Sequence, residues 1–193
     1  MQELRSITMS KASSSKELNG KGTDSISTFP LLKRILAVVV ALLAIGAMLY
    51  PIEVLKASDS RSGKYLSSWW PREDKSFTIK YIHSVERTPV WEMYTIEEGE
   101  IVLKETVFQS YGAGLPATSP YDFDIVEDGF RLYNIDQKMT NLVYRTGAVR
   151  ANHELTVGGR TYLFVEFSEP TEGVKFETQR TPIIVYLAKE GFK

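Results

Sequence analysis

The stretch FTIKYIHSVERTPVWEMYTIEEGEIVLKETVF, residues 77–108, decides how this chain folds. FTIKYI at 77–82 alternates apolar with polar and is rich in β-branched residues, which predicts a half-buried strand. PVWEMYTI at 89–96 alternates as well. Because strand side chains repeat with period 2, Val90, Glu92, Tyr94 and Ile96 fall on one face. EEGE at 97–100 reads as a turn and IVLKETVF at 101–108 as the returning strand of a hairpin. The same signal continues outward. FDIVEDGFRLY at 123–133 is a strand broken at Asp128-Gly129, and LVYRTG at 142–147 is another. ELTVGGRTYLFVEF at 154–167 is two alternating runs joined through Gly158-Gly159, and TPIIVYLA at 181–188 is a last strand. Seven or eight short strands, with no amphipathic helix after residue 56, predict an all-β fold: an antiparallel sandwich or barrel-like domain over residues 77–193.

Before that domain the composition changes twice. Residues 1–29 are polar, without apolar periodicity, and read as a disordered tail. Lys33 and Arg34 then abut ILAVVVALLAIGAMLYPI, 18 uncharged residues at 35–52. A helix of that length rises roughly 30 Å, the thickness of a bilayer's hydrocarbon core. The run has no polar face, so residues 30–55 are expected to be a transmembrane signal-anchor, with Pro51 a possible helix end. Positions 1–34 hold six basic residues against three acidic ones, which places the tail in the cytoplasm and the β-domain outside the cytoplasmic membrane. A cleaved signal peptide fits less well, because Leu55 and Ala57 match the A-x-A cleavage pattern poorly. Residues 56–76 are expected to be a juxtamembrane linker and the start of the domain, with Trp69 and Trp70 joining the core.

Whole-chain composition narrows the chemistry. Lys plus Arg number 23 and Asp plus Glu 24, a net charge of −1 that gives no basic surface for nucleic acid. The chain has no Cys, which excludes disulfides, thiol nucleophiles and thiolate metal sites.

Polar groups gather around two loops of the same hairpin unit. His83, Ser84, Glu86 and Arg87 follow the first strand, while Tyr111 and Gly112-Ala-Gly114 follow the third. In an up-down-up meander strands one and three point the same way, so both loops lie at one end of the sheet. With Glu92 and Tyr94, these residues are the expected ligand or partner surface. Arg87 and the loop amides suit an anionic small molecule. Other readings of the same residues stand beside this one. His83 with Glu86 and Glu92 has ligand types suited to a divalent ion, but the spacing matches no H-E-x-x-H motif. Ser84 beside His83 lacks a G-x-S-x-G elbow. Glu86, Arg87 and Glu92 also suit a structural ion-pair network. No catalytic residue, metal or cofactor is expected.

Two blocks, IHSVERTPVWEMY at 82–94 and FQSYGAGLP at 108–116, resemble an uncharacterised domain-of-unknown-function family encoded beside TAXI-type TRAP transporters. The likeness rests on a His-Ser-Val-Glu stretch, an aromatic-Glu-x-Tyr and a Gly-Ala-Gly loop behind an N-terminal hydrophobic segment. It implies a small extracytoplasmic β-domain, non-catalytic, that serves a secondary importer of organic acids or related solutes. The implied partners are the polytopic permease or its solute receptor, together with the lipid bilayer. Two rivals remain at this stage: an exported hydrolase or metal-dependent enzyme using His83 and Glu86, and a structural domain of the cell envelope.

Overall fold

The computed structural model describes residues 29–72, 74–110, 120–147 and 151–191. It opens on helix α1, Phe29–Leu49, whose segment Pro30–Leu49 is long and apolar enough to cross a membrane, with a mean hydropathy of 2.3. Twelve strands follow among the described residues: β1 Pro51–Asp59, β2 Tyr65–Trp69, β3 Ser76–Ile82, β4 Pro89–Glu97, β5 Glu100–Phe108 and β6 Asp122–Val126, then β7 Gly129–Tyr133, β8 Gln137–Lys138, β9 Leu142–Arg145, β10 Glu154–Val157, β11 Arg160–Leu163 and β12 Gly173–Pro182. A 3-10 turn, Phe164–Glu166, follows β11, and helix α2, Ile183–Glu190, follows β12.

The strands form two antiparallel sheets. The smaller has the order β2-β1-β12-β9, and the larger runs β11-β10-β3-β4-β5-β7-β6 with β8 paired on β5. Neither closes on itself, so the fold is sandwich-like. Period-2 alternation builds the core. Phe77 and Ile79 of β3, Tyr94 and Ile96 of β4, and Leu155 and Val157 of β10 come from the larger sheet. Leu55 and Ala57 of β1, Trp69 of β2, and Val174 and Phe176 of β12 come from the smaller. Such interdigitation of alternate residues from two facing sheets is how a sandwich buries its apolar area.

Two hairpins turn through paired left-handed residues. Glu98 and Gly99 have φ of 52° and 85°, and Gly158 and Gly159 have 57° and 76°. Two successive positive φ angles match the right-handed twist of the flanking strands. Between Met93 and Tyr94 the β4–β5 register slips, because β5 carries one extra residue, Lys104. Its ammonium reaches Glu97 and Asp136 at 2.7 and 2.6 Å.

The expected strands from 77 to 163 are present, with the 123–133 segment split into the β6–β7 hairpin. Four expectations are corrected. The helix ends at Leu49 rather than 55, and Pro51 opens β1, the position where a strand accepts proline. Residues 56–76 are not a linker, since they hold the second part of β1 and all of β2. Residues 164–166 form a 3-10 turn instead of prolonging the strand. The segment at 181–188 is not a strand: β12 ends at Pro182 and α2 begins. Its β-branched run Ile183-Ile184-Val185 reads as strand, but its ladder partner β1 begins at Pro51, opposite Pro182, so the run lies beyond the last strand pair, and Tyr186 sits edge-on to Trp70 at 6.4 Å.

Candidate functional site

The β3–β4 connection is a short, internally bonded loop. The His83 N–H donates to the Thr88 carbonyl, and the Arg87 N–H to the His83 carbonyl, each at 2.9 Å. Arg87 takes a left-handed φ of 56° to complete the turn. Within it the Glu86 N–H donates to His83 Nδ1 at 3.3 Å, so that nitrogen serves the Glu86 amide and not the Ser84 hydroxyl. Ser84 and Arg87 are exposed, while His83 and Glu86 are half-buried. The end of β5 arrives beside this loop, and the Ser110 hydroxyl donates to Glu86 Oε2 at 3.0 Å. The meander therefore brings Gln109 and Ser110, just past the end of β5, to the 83–88 loop at one end of the larger sheet. Tyr111, Gly112 and Gly114 lie outside the described residues.

Glu92 and Tyr94 are placed differently. They sit between the sheets, on the inward face of β4 that also carries Val90 and Ile96. Three phenols converge on the Glu92 carboxylate. Tyr81 of β3 donates to Oε1 at 3.4 Å and Tyr94 to Oε2 at 3.1 Å, and Tyr144 of β9 also donates to Oε2. The hydroxyls of Tyr94 and Tyr144 are 2.6 Å apart. Tyr144 belongs to the smaller sheet, so this cluster is a polar bridge across the sandwich. Burial, and then the Glu92 charge, push all three phenols above their ordinary value near 10. They stay protonated donors. The ion-pair network considered for Glu92 is thus replaced by tyrosine hydroxyls.

His153 completes the wall. Its ring stacks on Tyr81 at 5.5 Å and lies 5.8 Å from Tyr144 and 5.2 Å from Phe164. Burial lowers its pKa, which keeps the imidazole neutral, and its Nδ1 accepts the Gly147 N–H at 3.4 Å. Among the described residues, no three His, Asp or Glu side chains gather as a metal-ligating group. Tyr81, Tyr144 and His153 escape a reading of the sequence. Alternation places Tyr81 on the inward face, but nothing in the spacing joins it to a tyrosine two strands and a sheet away.

Chemically, the site offers two things. One is a rigid, exposed polar loop with a cation at Arg87; the other is a carboxylate whose oxygens are already held by O–H donors. No curated protein and no solved structure matches the chain. The model of the family described as a domain of unknown function (DUF1850) matches residues 77–164, from β3 to the first residue of the 3-10 turn.

Proposed function

We propose that this chain is a non-catalytic accessory or assembly subunit of a TRAP-type, TAXI-like solute importer. In this reading α1 anchors it in the cytoplasmic membrane, the N-terminus lies inside and the β-domain outside. The domain meets the permease or its solute receptor through the 83–88 loop and the segment after β5. The observation that supports this most is the meeting of the 83–88 loop with the end of β5 through the Ser110–Glu86 hydrogen bond. A loop held by its own backbone bonds loses little conformational freedom on docking, and exposed Arg87 offers a bidentate contact to a carboxylate of partner or anionic solute. Anchoring raises the effective concentration of the domain beside a polytopic partner, so a modest interface suffices.

Mild cross-linking of the full-length protein in native membranes, followed by detergent purification, tests the reading. Recovery of a TRAP-type permease or receptor, lost on Arg87→Glu with the fold intact, is the expected result. A protein that purifies alone under these conditions would sink the proposal.

A further inference from the structure

Away from the loop end, the chain holds one of its own carboxylates in a set of converging donors. Glu190 lies in the last turn of α2. The Tyr65 hydroxyl and the Ser68 N–H donate to its Oε1, the latter at 3.1 Å. The Ser68 hydroxyl lies 3.4 Å from that oxygen, and the Ser67 hydroxyl donates to Oε2 at 3.3 Å. Ser67 and Ser68 are buried, on the strand at the edge of the smaller sheet. Four donors from one short strand segment make an oxyanion cradle of the sort that binds carboxylates in proteins generally. Shielding a bare edge strand explains a helix at this position, but not a carboxylate gripped by four donors.

The helix that carries this carboxylate is itself lightly packed. No residue of α2 is buried, and the helix leans on its neighbours through Tyr186 against Trp70 and Lys189 over the Tyr65 ring at 4.7 Å. A groove of about 720 Å³ adjoins the cradle, within the size range of small-molecule sites. Trp69, Tyr162 and Phe167 form an aromatic wall, with Trp69 centred 5.7 Å from Tyr162 and 4.9 Å from Phe167. Both signs of charge line the rest, Lys64 and Arg160 against Glu166, Glu169 and Glu172. Once a ligand carboxylate takes the cradle, the surplus of carboxylates beside it favours a ligand that also carries an ammonium.

We propose that Tyr65, Ser67 and Ser68 form a carboxylate-binding site that Glu190 occupies in the resting chain. Its ligand is an amino-carboxylate with an apolar or aromatic body, which displaces Glu190 and seats its body in the adjoining groove. This site is independent of the importer reading, since it uses neither the 83–88 loop nor the segment after β5.

Calorimetry on the full-length protein in detergent micelles tests it, with L-phenylalanine, 3-phenylpropionate and 2-phenylethylamine as probes. Removing an internal occupant removes the competition it imposes, so Glu190→Ala should bind L-phenylalanine roughly tenfold tighter than the unmodified chain. Phenylpropionate should bind more weakly than phenylalanine, and phenylethylamine weakest. Lys189→Ala, on the same helix turn, should leave the affinity unchanged. Adding Ser67→Ala and Ser68→Ala to Glu190→Ala should abolish the gain. If that variant does not melt cooperatively, Tyr65→Phe, which removes a single hydroxyl, replaces it and should reduce the gain. No tightening on Glu190→Ala overturns the proposal. So does a gain that survives loss of the cradle donors, or phenylethylamine binding as well as phenylalanine.

Discussion

Glu92 shows how one residue can tie two sheets together. A carboxylate between apolar layers is costly unless its oxygens are bonded, and here three tyrosine hydroxyls supply the bonds. Removing one partner leaves the others under-satisfied. Tyr144→Phe is therefore expected to cost about 1–3 kcal/mol, the usual range for an orphaned buried polar group, measured by denaturant melting of the full-length protein. The same substitution should change the alkaline limb. Tyr144 is held above the ordinary phenol value near 10, by burial first and Glu92 second. Above pH 10 the unfolded chain releases this proton while the folded chain keeps it, so stability falls as pH rises. Tyr144→Phe should flatten that fall; an unchanged alkaline limb would show that the phenol does not sense the cluster. His153 works at the other end of the scale. Burial holds its pKa below the ordinary 6.5, so the unfolded chain binds the proton first as pH drops. Stability should decline below about 6.5 and on through the lower, folded value. His153→Phe, an aromatic in a pocket bounded by Tyr81, Tyr144 and Phe164, should reduce the slope of melting temperature against pH between 7 and 5.

At the scale of elements, the β6–β7 hairpin depends on one glycine. Gly129 has φ of 130°, and a Cβ there would lie 2.3 Å from the Phe108 carbonyl oxygen and 2.8 Å from Gln109 Cα. Both are backbone atoms at the end of β5 and cannot swing aside. Gly129→Ala should cost at least about 1–3 kcal/mol from the backbone conformation alone. It should also displace the Gln109–Ser110 segment, and so weaken the Ser110–Glu86 bond; a Ser110→Ala substitution that costs as much stability in the Gly129→Ala background as in the unmodified chain would argue that this contact is held otherwise. These elements were legible to different degrees for physical reasons. β3 and β4 declare themselves because buried and half-buried residues alternate along them, and β5 because it returns through Glu98-Gly99, which adopt positive φ. β1 did not, since Pro51 and Ile52 continue the apolar run of α1, and past Glu53 the neighbours Val54 and Leu55 are both buried, so the strand shows no clean alternation. α2 was hidden by three β-branched residues that lie past the last β1–β12 pair, a limit set by where β1 begins at Pro51, more than 100 positions earlier. The Tyr81–Glu92–Tyr144 cluster was half legible: Glu92 and Tyr94 share a face by periodicity, whereas Tyr144 joins them only through the facing sheet.

For the whole molecule, the decisive fact is where the family match stops. Residues 77–164 contain every strand of the larger sheet but only β9 of the smaller. That strand pairs solely with β12, which lies outside the match together with β1 and β2. The matched segment alone would carry Phe77, Ile79, Tyr94, Ile96, Leu155 and Val157 on a face covered only by residues such as Leu142 and Phe164, because Leu55, Ala57, Trp69, Val174 and Phe176 fill most of that space. A sheet with one apolar face exposed to water does not stand as an independent unit. It would also strand Tyr144 without the β12 ladder that positions it against Glu92. A fragment of residues 50–193 should therefore melt cooperatively with a dispersed amide spectrum, whereas a fragment of residues 77–164 should show neither and should bind a hydrophobic dye. If the shorter fragment melts as sharply as the longer, the smaller sheet is an addition to a self-sufficient domain. If it does not, the folding unit runs from β1 to α2, and the first and last strands of the chain, paired from Pro51 with Pro182 to Asp59 with Val174, are what close the sandwich.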